Sequence, residues 1–186
     1  MKINIDNIIK DDNPLIRERS LPVELPLSVE DKSLMEDMIS YVKRSTDEEL
    51  AEKENLRPAV GISAIQVGQA KQMLYVLIND EEGNPFFECA LVNPKVLSTS
   101  VEKAYLGTGE GCLSVPIDHP GYVYRSRKIK VKAYDYLSDQ EVEIKCSGYP
   151  AIVLQHELDH LKGILYYDYI DENNPYPVDK DAYCIE

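Results

Sequence analysis

Residues 156–160 read His156-Glu157-Leu158-Asp159-His160, set in the stretch 152–161 that is otherwise apolar but for Gln155. Residues four apart on a helix share one face, so two imidazoles there can grip one cation while the intervening Glu157 reaches a water on it. A helix that is apolar nearly all round belongs in a core. Burying two histidines and two acids with it is costly unless a metal and its hydrogen-bonded surroundings compensate. The pattern predicts a buried helix over 152–161, reached after the punctuation of Gly148 and Pro150. A plain hydrogen-bonded histidine pair is the alternative, weakened because two of only three histidines fall at this spacing around a glutamate.

Around this helix the chain must build a shell. Ser28 with Asp31 three residues on resembles a capping box, and Leu34, Met35, Met38, Ile39 and Val42 recur at helical spacing, which predicts a helix over 29–44. The charge-dense stretch 45–57 reads as a solvated helical extension or a surface loop. Residues 73–78 are apolar and β-prone, 80–84 carry turn residues and 86–92 read as the partner strand. Residues 129–136 and 141–146 alternate apolar and polar on either side of Ser138 and Asp139, giving a second hairpin. Neighbouring hairpins with two separate helices favour an α+β class, with antiparallel sheets packed around a central helix that carries the His-Glu-x-x-His motif.

The chain is 186 residues long, 44% hydrophobic and 28% charged, within the range of one globular domain, read here as a single catalytic domain over 1–186. A net charge of −13 repels phosphate backbones and anionic lipid heads, so no strong nucleic-acid or membrane-surface binding is expected. No apolar run approaches the roughly 18–20 residues of a membrane span. The first 20 residues have neither an apolar signal core nor transit-peptide character. The expectation is a soluble, cytoplasmic protein whose four cysteines are free thiols.

Two imidazoles leave a catalytic metal short of its usual third protein ligand. The candidates are a cysteine, His119 or a downstream carboxylate such as Glu172, Asp179 or Asp181. Cys112 stands out because Gly109 and Gly111 flank it and leave its thiol approachable. Cys89 and Cys146 fall within strand patterns, Cys184 is almost terminal, and His119 beside Pro120-Gly121 reads as a loop residue. The segment Val60-Gly61-Ile62-Ser63-Ala64-Ile65-Gln66-Val67-Gly68 is apolar except for Ser63 and Gln66, and on its own it reads more readily as tight packing, with Gln66 capping backbone groups.

Taken together, Gly61 to Gly68, Glu110-Gly111-Cys112-Leu113-Ser114 and Gln155 to His160 resemble the three motifs of the peptide deformylases, in the family's order. Asn13-Pro14-Leu15-Ile16-Arg17 also resembles the family's N-terminal segment, so the likeness spans about residues 13–171. Within the family, the charged stretch near 44–57 resembles the class common in Gram-positive bacteria and mycoplasmas. Two departures occur: Ala59 stands where the family has glycine, and Ser63, where it has alanine, adds a hydroxyl that needs a partner. The resemblance implies hydrolytic removal of the N-formyl group from the initiator methionine of nascent chains at the ribosome exit, with release of formate. It implies one Fe²⁺ per chain on Cys112, His156 and His160, with Zn²⁺, Ni²⁺ or Co²⁺ able to substitute. By the same likeness Glu157 is the general base, and the Gln66 amide and Leu113 N–H meet the developing oxyanion. Main-chain groups of Val60, Gly61 and Gly111 anchor the peptide, Ile62 and Val153 adjoin the methionine pocket, and Arg125 partners Glu110. Two other readings stay open: a general metallopeptidase with a downstream carboxylate ligand, and a closed structural zinc site completed by His119.

Overall fold

The computed structural model describes residues 2–186. Helices α1 (Val29–Ser45), α2 (Glu48–Glu54) and α3 (Tyr149–His160) and strands β1 (Gly61–Ser63), β2 (Met73–Asn79), β3 (Pro85–Thr99), β4 (Lys103–Leu106), β5 (Arg125–Ser126), β6 (Lys128–Asp135), β7 (Gln140–Ser147) and β8 (Tyr183–Ile185) follow in chain order. The fold is α+β. Strands β1, β2, β3, β6 and β7 form an antiparallel sheet in that order, and β5, β4 and β8 form a smaller sheet in which β4 and β8 run parallel.

The apolar run of β2 has no polar alternation because both faces of the sheet are covered. Met73, Tyr75 and Leu77 join Met35, Met38 and Tyr41 of α1 in one core, whereas Leu74, Val76 and Ile78 join Ala151, Leu154 and Leu158 of α3 in another. Helix α3 also touches β4 and β5, so it lies between the two sheets. A third core of Ile16, Ile65, Val115, Leu165 and Tyr166 packs with Cys112.

Beyond shifts of one residue at element ends, the structure departs from the sequence reading in three places. Helix α3 starts at Tyr149, three residues early, because Pro150 occupies its first turn, where a missing N–H costs nothing. Strand β3 continues to Thr99 through two register shifts. At Asn93, with φ of 53°, the side chain accepts from Val23 N–H and donates to Val23 C=O, so the irregular backbone is braced. The charged stretch after α1 is a separate short helix, because Asp47 caps α2 by accepting from Leu50 N–H.

Candidate metal centre

The end of α3 presents His156 and His160 with ring centroids 4.9 Å apart. Cys112 comes from the loop between β4 and β5, and its Sγ lies 3.3 Å from His160 Nε2. Among the described residues, one ligand atom each from Cys112, His156 and His160 lie within 4.8 Å of one another. The trio is therefore not a single motif on one buried helix: α3 supplies two donors and a loop supplies the third. A tetrahedral cation bound to sulfur at about 2.3 Å and to nitrogen at about 2.0–2.1 Å holds its donors roughly 3.3–3.6 Å apart, so the residues present fit such an ion. Nδ1 of His160 is buried without a protein partner, which leaves Nε2, facing the sulfur, as that ring's polar contact. Glu172, Asp179, Asp181 and His119 stand outside the trio. The His119 ring instead stacks on Tyr167 at 4.3 Å.

A carboxylate orients the outer imidazole. Nδ1 of His156 lies 2.7 Å from Glu110 Oε2, which turns Nε2 inward. Burial alone would lower the His156 pKa, but hydrogen bonding to Cys112 and Glu110 outweighs it and raises the value well above the usual imidazole range. His160 moves the other way, lowered by burial and then by the neighbouring His156. Burial would raise Glu110, yet its bonds to His156 and Arg125 pull it down to about 2.

Glu110 also receives Arg125 Nε at 2.6 Å and Nη2 at 2.9 Å, while Arg125 Nη1 donates to Asp159 Oδ2 at 2.8 Å. All three side chains are less than a tenth exposed. Asp159 Oδ2 further accepts from Tyr169 O–H at 2.9 Å. The metal loop, β5 and α3 are thus joined through one guanidinium. Asp159 was visible as an acid inside the helix motif, and Lys162 three residues on bonds its Oδ1, but Arg125 and Tyr169 lie 34 and 10 residues away and no spacing announces them. Gln155 adds a second tie, accepting from Ser126 N–H and donating to Ser126 C=O.

Glu157 is 4% exposed, and burial raises its pKa despite opposing contributions from His156 and the Ser63 hydrogen bond. Ser63 Oγ donates to Glu157 Oε2 at 2.7 Å and lies 3.1 Å from the Glu157 carbonyl. This is the partner that the additional hydroxyl required. Gly61 packs directly on the same carboxylate, because a Cβ there would stand 2.6 Å from Oε1. Gln66 accepts from Ser63 N–H at 2.9 Å, which aims its Nε2 at Cys112 Sγ (3.5 Å) and Ser114 Oγ (3.2 Å).

A cleft of about 320 Å³ opens over these groups, and Val60, Gly61, Gly111, Leu113 and Val153 are in its wall. Ile62 is not, which corrects its expected place beside the methionine pocket. Strand side chains alternate between faces, so Ile62 points into the core with Met73 and Tyr75. The Val60 carbonyl already accepts from Leu77 N–H at 2.8 Å. Antiparallel alternation then turns the main-chain groups of Gly61, on the free edge of β1, away from β2. Tyr149, Ile152 and Leu106 also line the cleft. The sequence does not single them out, because an aromatic or aliphatic side chain in a helix or strand carries no signal of which cavity it faces.

The Polypeptide deformylase family profile matches residues 5–176. The chain belongs to the peptide deformylase family. It is 47% identical over 184 residues to peptide deformylase 2 of Bacillus subtilis, covering 99% of each chain. The crystal structure of peptide deformylase from Ehrlichia chaffeensis matches with a TM-score of 0.71 at 30% identity, over 90% of this chain and 89% of that one. A Met-Ala-Ser-bound class I type b peptide deformylase from Acinetobacter baumannii matches with a TM-score of 0.70 at 30% identity, over 91% and 100%. The departures of this family member at Ala59 and Ser63 are both accommodated: Ala59 is not among the non-glycine residues with positive φ, and Ser63 binds Glu157.

Proposed function

We propose that this chain is a metal-dependent hydrolase that removes the formyl group from N-formylmethionyl peptides and releases formate. The observation that carries the reading is the convergence of Cys112, His156 and His160 on one point beside the buried carboxylate of Glu157, in a member of the peptide deformylase family. A divalent cation on those three donors would activate a water and polarise the formyl oxygen. Glu157 is the base that accepts the water's proton and returns it to the leaving amine. Its raised pKa suits both transfers. The Gln66 Nε2 group, 3.5 Å from Cys112 Sγ, and the Leu113 N–H are in this reading the donors that meet negative charge on the formyl oxygen. The free edge of β1 at Gly61 offers main-chain bonds to an extended peptide, with Gly111 across the cleft. Val153, with Tyr149 and Ile152, supplies apolar wall for the methionine side chain.

The site residues act in one catalytic domain over 1–186, on nascent peptides in the cytoplasm at the ribosome exit. No helix among the described residues is long and apolar enough to cross a membrane. Fe²⁺ is the native ion in this reading. Thiolate and imidazole ligands bind Zn²⁺ more strongly, but iron expands its coordination more readily when substrate enters, so affinity and catalytic fitness separate. Formate release from formyl-Met-Ala tests the activity, and absence of release by metal-loaded protein would refute it. Anaerobic reconstitution with Fe²⁺, Ni²⁺, Co²⁺ or Zn²⁺ tests the ion. The iron form is expected to have the higher kcat/KM and to lose activity in air as Fe²⁺ and the Cys112 thiolate oxidise. A zinc form equal to the iron form would refute iron alone.

A further inference from the structure

We infer that Ser63 is a positioning residue for Glu157, a role that rests on the hydrolase reading above. Ser63 ends β1 and is fully buried. Its hydroxyl meets Glu157 Oε2 at 2.7 Å, an ordinary length for a hydroxyl–carboxylate hydrogen bond. Opposite this contact, Gly61 leaves no space behind Oε1. The carboxylate is thus held between a donor on one oxygen and a backbone wall against the other, and the χ torsions of a long glutamate are fixed before substrate arrives. The same residue orients the second polar group of the cleft, since Ser63 N–H donates to Gln66 Oε1. One residue therefore sets both side chains proposed to act at the formyl group, the base through Oγ and the amide through its main chain.

These two duties are separable by mutation. Ser63→Ala removes the hydroxyl while keeping the N–H that holds Gln66, and it replaces a buried side chain with a smaller one. Because a base held loosely is misaligned in the transition state but scarcely alters ground-state binding, kcat for formyl-Met-Ala should fall about tenfold, with KM and bound metal per chain unchanged within twofold. Ser63→Cys keeps the shape with a much weaker donor, and it should show the same split if the alanine variant folds poorly.

A double-mutant cycle of thermal unfolding on zinc-loaded protein supplies the readout that does not depend on turnover. Ser63→Ala should lower Tm in the otherwise unchanged protein, and by less than half as much in a Glu157→Ala background. Wild-type kcat in both Ser63 variants, or an equal Tm loss in the two backgrounds, would overturn the inference. If the unchanged protein releases no formate, the hydrolase reading falls and the base-positioning role falls with it, whereas the Tm cycle still reports whether the two side chains are coupled.

Discussion

Glu157 and Glu110 are buried carboxylates that both interact with His156, yet their surroundings drive them apart. Among the described residues Glu157 has no cationic hydrogen-bond partner, so burial dominates and its pKa rises. Glu110 has Arg125 and His156 as donors, so it remains charged. Replacing Glu157 with glutamine keeps the shape but removes the proton acceptor. The expected result is metal content unchanged with kcat lowered by roughly 10² to 10⁴, and a variant that kept more than a tenth of wild-type kcat would remove Glu157 from the role of base. For Glu110 the folded pKa lies below the unfolded one, so the unfolded chain binds protons first as pH falls. Its stabilising contribution is complete above about pH 4.3 and is lost toward about pH 2. Urea titrations from pH 5 to 3 should show wild-type stability falling more steeply than that of Glu110→Gln, and parallel curves would contradict the charged assignment.

At the scale of elements, the position of the Glu157 carboxylate depends on how closely β1 approaches α3. Gly61 is the point of contact, and the reason for glycine is space rather than torsion, because its Cβ would collide with the Glu157 carboxylate. Gly61→Ala must therefore displace the base or part the strand from the helix. Its kcat should fall at least tenfold with the metal retained, in accord with the cost of small misplacements of reacting groups, and a crystal structure should show the carboxylate rotated. An alanine variant with full activity and an unmoved Glu157 would show that the contact has slack. The sequence displayed this glycine and the helix motif separately. Their contact across 96 positions (61 to 157) became visible only in the packed structure.

For the whole molecule, the decisive feature is that the site is assembled from parts that no single element contains. Arg125 on β5 ties Glu110 of the metal loop to Asp159 of α3 inside the protein. Removing one partner of a buried ion pair costs about 3–5 kcal/mol. Arg125→Met should accordingly lower Tm by roughly 6–20 °C for a chain of this size and weaken metal retention by freeing the Cys112 loop. Calorimetry together with metal analysis checks both, and an unchanged Tm would mean that the triad contributes nothing net. What the sequence determined by itself was local. The His156–His160 spacing, the glycines around Cys112, the α1 cap at Ser28 and the two hairpins are periodic or contiguous patterns, and near-neighbour geometry makes them readable. Only the tertiary structure decided that Ile62 faces the core, that Ser63 holds Glu157 and that Asp159 shares Arg125 with Glu110. Those outcomes depend on which faces meet when two sheets close over one helix, and contacts between residues far apart in sequence carry no period for the chain to display.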